Sequence, residues 1–186
     1  LNDSSITTIE TVPNTTAGPT FTSGIVKTTD GAAIAISGGS PDFTYFGTIL
    51  NTRPAGAGLG YLTQIANVEE DTTISITGPG NTPLNDNGDG VFINGVAGNN
   101  TTIDMIGLNL FGDGNTGILV QNSTDTPLIT FANTLIGNGN GPVSQGILIS
   151  NNAIGVQTAF SNLDISLQGA NAEGIRAVNA GIVTAT

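Results

Sequence analysis

"GILVQNSTDTPLITFANTLIGNGNGPVSQGILISNN", residues 117–152, contains its own echo. Gly117-Ile-Leu-Val-Gln-Asn122 returns as Gly146-Ile-Leu-Ile-Ser-Asn151, and Phe131-Ala-Asn133 returns as Phe160-Ser-Asn162. Working outward, units that open on a Gly and an apolar residue begin at Gly31, Gly60, Gly90, Gly117, Gly146 and Gly174, spaced by 29, 30, 27, 29 and 28 residues. A period of that size is the mark of a repeat architecture. In the last four units the first and third residues after the Gly are Val91/Ile93, Ile118/Val120, Ile147/Ile149 and Ile175/Ala177. The fifth is Gly95, Asn122, Asn151 and Asn179. Alternation with a period of two predicts a strand that sends every other side chain into a core.

A second strand with the same grammar follows in each unit: Ile74/Ile76 then Gly78, Ile103/Met105 then Gly107, Ile129/Phe131 then Asn133, and Thr158/Phe160 then Asn162. Three residues beyond the corner, Leu110, Ile136 and Ile165 predict a third short strand before a Gly- and Asn-rich turn of variable length. Three strands and three turns in about 28 residues describe one coil of a parallel β-solenoid, with successive coils about 4.8 Å apart and equivalent residues stacked in columns. Variable coil length argues against a left-handed hexapeptide helix and for the right-handed type. The expectation is an all-β, right-handed parallel β-helix over residues 31–186, continuing in a longer parent protein. Residues 1–30 fit the repeat poorly and are expected to form an incomplete first coil or an extended segment. "YLTQIANVEED", residues 61–71, places Leu62, Ile65 and Val68 at helical spacing, but the register of the repeat favours a strand.

Asn122, Asn151 and Asn179 should share one column and Asn133 and Asn162 another. At inward corners their amides would pass hydrogen bonds from coil to coil. The competing reading is that Asn stands there as a turn residue that tolerates a left-handed backbone.

Composition narrows the function. Three Lys or Arg against 14 Asp or Glu leave a net charge of −11, which disfavours nucleic acid and anionic membranes as partners. No apolar run approaches the roughly 20 residues of a membrane helix, and no initiating Met or signal-peptide pattern is present, so any targeting segment is expected upstream or removed. Without Cys there are no disulfides or thiolate metal sites. A Cys-free, acidic, Asn/Thr/Gly-rich chain matches surface proteins of Gram-negative bacteria in composition, which predicts an extracellular or cell-surface location.

The Gly-Ile-x-x-x-Asn and Phe-x-Asn signatures over residues 60–186 resemble the right-handed parallel β-helix repeats of the pectate-lyase-like superfamily. That superfamily includes polysaccharide lyases, galacturonases, phage tailspikes and autotransporter passengers. "GAAIAISGG", residues 31–39, resembles in part the repeats of chlamydial polymorphic membrane proteins, although here Phe131 and Asn133 are separated by one residue rather than two. The resemblance implies the fold, and within it a secreted or surface scaffold or adhesin of autotransporter-passenger type, with a carbohydrate-binding or carbohydrate-cleaving β-helix as the alternative. Catalysis of the galacturonase kind would need a His that the chain lacks. A lyase would need a cation, and of Lys27, Arg53 and Arg176 only Arg176, two residues after its Gly, is placed to serve.

Two surface features are candidates for binding. In "NDNGDG", residues 85–90, Asn85, Asn87 and Asp89 alternate ahead of Gly90, partly like a calcium loop without its closing Glu. Asp86 and Asp113 each precede their unit's Gly by four residues, so Asp86, Asp89 and Asp113 form a candidate Ca²⁺ site; no other cofactor is expected. The second residue after each Gly should point outward, yet reads Leu62, Phe92, Leu119 and Leu148. Such an apolar strip calls for cover, either by the chain's own N-terminal segment or a long turn, or by a partner. Expected partners are a protein or glycan at a cell surface, or a second copy meeting the open edge near Ile175 and Ile182. The regular Thr-x-Thr arrays of ice-binding solenoids are missing.

If the three aspartates share a cation, Ca²⁺ added to chelator-stripped protein raises Tm by mass action, and Asp113→Ala abolishes the gain. An unchanged Tm in a calorimetric scan reduces the three to solvated turn residues.

Overall fold

The computed structural model describes residues 6–9, 20–21, 25–28, 32–51, 61–77, 89–110, 116–137, 145–167 and 170–186. Every regular element among them is a strand; none is a helix. A seven-stranded sheet joins Ile6–Ile9, Ile34–Ser37, Tyr61–Ala66, Asp89–Asn94, Thr116–Gln121, Gln145–Ser150 and Glu173–Val178 in chain order. A second sheet runs Thr20–Phe21, Asp42–Phe46, Thr73–Thr77, Thr102–Ile106, Leu128–Ile136, Gln157–Ile165 and Ile182–Ala185. A third, two-stranded sheet pairs Ile25–Thr28 with Thr48–Asn51, and the short strand Asn109–Leu110 joins the second sheet by pairing with the end of Leu128–Ile136. All pairings are parallel, and each strand pairs with its equivalents one repeat away. That is a parallel β-solenoid.

Register follows burial. In the first sheet Ile36, Ile65, Ile93, Val120, Ile149 and Ala177 stand opposite one another, so successive coils are 27 to 29 residues long. Beside them runs Ile34, Thr63, Val91, Ile118, Ile147 and Ile175. The second sheet contributes Tyr45, Ile76, Met105, Phe131, Phe160 and Ala185. Phe131 and Phe160 stack with ring centroids 5.1 Å apart and planes 9° from parallel, one coil spacing. The expected columns Ile93/Val120/Ile149/Ala177 and Met105/Phe131/Phe160 are both present in register. Their members from Ile93 to Phe160 lie in one hydrophobic core, whereas Ala177, expected inside it, is exposed in the last strand of its sheet. Ile175 and Ile182, in the last strands of the two sheets, are about half exposed, at 45% and 50%.

Two of the glycines that open units, Gly90 and Gly146, are required by space, whereas a Cβ at Gly174, in the last described strand of the first sheet, would meet nothing. At Gly90 a Cβ would lie 2.4 Å from the Gly117 carbonyl oxygen, and at Gly146 it would lie 2.6 Å from that of Gly174. Adjacent coils approach too closely at this point for any side chain.

Residues 61–66 form a strand rather than a helix, but the Gly60 spacing misplaces it by two residues. Ile65, not Thr63, faces Ile93. A slip of two keeps the same alternation of inward and outward positions, so the repeat glycine cannot detect it. Pairing is decided by Ile65 filling the column between Ile36 and Ile93.

Polar residues also occupy inward strand positions, Thr63 and Thr158 among them. The Thr63 and Thr158 hydroxyls are buried with no hydrogen-bond partner. A buried orphan hydroxyl destabilises by about 1–3 kcal/mol, while an apolar group of the same shape does not. Thr158→Val should therefore raise the urea midpoint, whereas Phe131→Ala, which opens a cavity against Phe160, should lower stability by about 3–5 kcal/mol. Equilibrium urea unfolding checks both, and a destabilised Thr158→Val contradicts the packing described.

Candidate functional site

Each coil leaves the first sheet through one residue with a left-handed backbone. These are Asn67 (φ 54°), Asn122 (56°), Asn151 (55°) and Asn179 (50°), with Gly38 (76°) and Gly95 (66°) in the same column. The second sheet turns at Asn133 (52°) and Asn162 (51°), with Gly107 (80°) in the equivalent place. Asn and Gly interchange along both columns because both tolerate positive φ, which costs most residues about 1–2 kcal/mol. The backbone N–H at each corner donates to the next coil's carbonyl: Asn67 to Asn94 at 2.9 Å, Gly95 to Gln121 at 3.0 Å, Asn122 to Ser150 at 3.2 Å and Asn151 to Val178 at 3.0 Å.

The five asparagines named from sequence therefore occupy two corner columns, but their side chains are exposed rather than turned inward. Outside, they still link coils: Asn162 Nδ2 donates to Asn133 Oδ1 at 2.8 Å, and Asn122 Nδ2 to Asn94 Oδ1 at 2.8 Å. The inward asparagine is Asn152, one residue past its corner and only 7% exposed. Its Oδ1 accepts from the Ser123 N–H at 2.9 Å and its Nδ2 donates to the Val120 carbonyl at 3.3 Å. Nothing in the repeat singles it out, since the equivalent residue one coil earlier is Ser123.

The outward column of the first sheet reads Ala35, Gln64, Phe92, Leu119, Leu148 and Arg176. Phe92, Leu119 and Leu148 are stacked and half-buried. Leu62 does not join them; the two-residue slip puts Gln64 opposite Phe92. Arg176 ends the column and lies 3.4 Å from Glu173 as an exposed pair, an arrangement worth at most about 1 kcal/mol. Of the candidate calcium ligands, Asp86 and Asp113 lie outside the described residues, and of Asp89 only the strand backbone is described. Among the described residues no group of three or more acidic side chains is placed to hold a metal.

A groove of about 360 Å³ opens beside the second corner column. Asn109, Leu135 and Asp164 line it as a column, each paired with the next one coil on. Asn133, Thr134 and Asn162 also line it. Two polar atoms here are buried without a hydrogen-bond partner, Asn109 Oδ1 and Thr134 Oγ1, each destabilising by about 1–3 kcal/mol unless a guest satisfies it. Sequence reading located the corner and the inward residues Leu110, Ile136 and Ile165 but passed over the residue between them. The available signal was a position two past each corner that reads Asn, Leu, Asp.

Fold and corners together define the class, a parallel β-solenoid with left-handed Asn/Gly corners. Compared with family models, curated proteins and solved structures, the chain finds no match.

If positive φ selects the corner residue, Asn151→Gly leaves stability within a few tenths of a kcal/mol, and Asn151→Val lowers it by about 1–2 kcal/mol. Chemical denaturation of the two variants checks this. Equal losses would assign the corner to the Asn side chain instead.

Proposed function

We propose that this chain is a scaffold segment of a secreted or cell-surface bacterial protein, a β-helical stalk of autotransporter-passenger type within the pectate-lyase-like fold group, which carries adhesive contacts away from the cell. The observation that supports it best is the continuity of the stacked columns. Each coil contacts only its neighbours, so length is added without changing the cross-section. The acidic, Cys-free composition suits an extracellular surface, and the exposed Asn corners give a polar exterior without charge.

A stalk has a further property: coils are interchangeable. Gly117 and Gly146 occupy equivalent places between the pairs Thr116/Gln145 and Ile118/Ile147, so removing residues 117–145 joins Thr116 to Gly146 in register. The shortened chain should keep its β-sheet circular dichroism and a cooperative melt. Antibodies to the segment should label intact producing cells, with the label lost on mild surface proteolysis. Labelling only after permeabilisation, or unfolding of the coil-deleted chain, would sink the reading.

A further inference from the structure

We infer that the groove beside the second corner column binds an aliphatic ammonium compound: a cationic N–H donor at Asp164, a carbon stem across Leu135, and a second N–H donor at Asn109. The starting point is the mismatch inside the groove. Asn109 Oδ1 and Thr134 Oγ1 are buried and without partners, and Thr134 is 2% exposed. The one amide donor shown bonded there, Asn162 Nδ2, is already engaged with Asn133 Oδ1. A guest that supplies donors relieves the mismatch. An ammonium offers three N–H donors and no acceptor, whereas each hydroxyl of a neutral sugar brings its own acceptors with its donor.

Charge selects in the same direction. Among the described residues Asp164 is the only charged one lining the groove, and the chain carries a net −11, so an anionic guest is repelled and a cation attracted. Spacing sets the length. Asn109 pairs with Leu135, and Leu135 with Asp164, so the two polar ends lie two coil spacings, roughly 9–10 Å, apart. Leu135 between them supplies the apolar surface on which a methylene stem lies. A linear polyamine has this pattern, and so does a lysine residue of a partner, whose side-chain ammonium and backbone N–H are separated by an aliphatic stem. The inference rests on the groove alone and is independent of the stalk reading.

The test is an NMR titration of the ¹⁵N-labelled chain with spermidine, with N-acetyl-lysine methylamide and with maltose as the neutral comparator. Saturable shifts confined to Asn109, Leu135, Asp164 and their neighbours are expected with one or both amines and not with maltose. The tighter amine identifies the source as free polyamine or protein lysine. Asp164→Asn should weaken binding at least tenfold, Asn109→Asp should tighten it, and Glu70→Gln, in an exposed turn away from the groove, should leave it unchanged. Asp164 is exposed, so its replacement does not threaten the fold, and a heteronuclear spectrum of each variant verifies that. Shifts scattered over all the acidic residues, equal effects of Asp164→Asn and Glu70→Gln, or shifts with maltose alone would overturn the assignment.

Discussion

The left-handed corner is the constraint from which the rest of this molecule follows. A strand that continued straight would leave the core; a turn made by one residue at positive φ redirects it within a single peptide unit. Because Gly38, Asn67, Gly95, Asn122, Asn151 and Asn179 all adopt that conformation, every coil bends at the same place. From Gly38 to Asn151 their N–H groups then meet the carbonyls of the following coil. With the corners aligned, the strands between them pair in register, and in-register pairing places Ile over Ile and Phe over Phe. The hydrophobic core is thus a consequence of the corner as much as of the apolar pattern.

The fold was largely legible because its signals recur. Alternation at Ile118/Val120 and Ile147/Ile149 is weak evidence of a strand taken once; repeated with the same Gly before it and Asn after it, it specifies a coil. What recurrence could not supply was direction and phase. An Asn at a corner satisfies an inward ladder and an outward left-handed turn equally well in sequence, and only the Gly residues sharing its column show that conformation selects it. Likewise the Gly60 unit slipped by two residues because a two-residue shift preserves every inward and outward assignment along the strand. Leu62 was lost from the apolar column for that reason.

The groove was not legible at all, and the reason is physical. Its members come from three coils and sit just past the second corner: Asn109 in a two-residue strand, Leu135 and Asp164 at the ends of nine-residue strands that carry on through the corner. Past the corner only two or three residues pair from coil to coil, so periodicity has little length over which to act there. Asn109, Leu135 and Asp164 differ chemically, so the column they build is invisible to any search for repetition. Function in a solenoid is carried by departures from the repeat. Asn152 illustrates the same point inside the core: a single buried amide, bonded to Ser123 and Val120, fastens two coils from within.

The direction of the inter-coil hydrogen bonds has a mechanical consequence. They point along the solenoid axis, so tension applied along that axis pulls each ladder open from its end, one bond after another, instead of shearing all its bonds together. Load is then resisted by one inter-coil interface at a time. Each coil that detaches releases 27 to 29 residues, which extend to roughly 90–100 Å of chain. A molecule built this way yields in steps and lengthens under strain without parting, with the interfaces below the breach untouched.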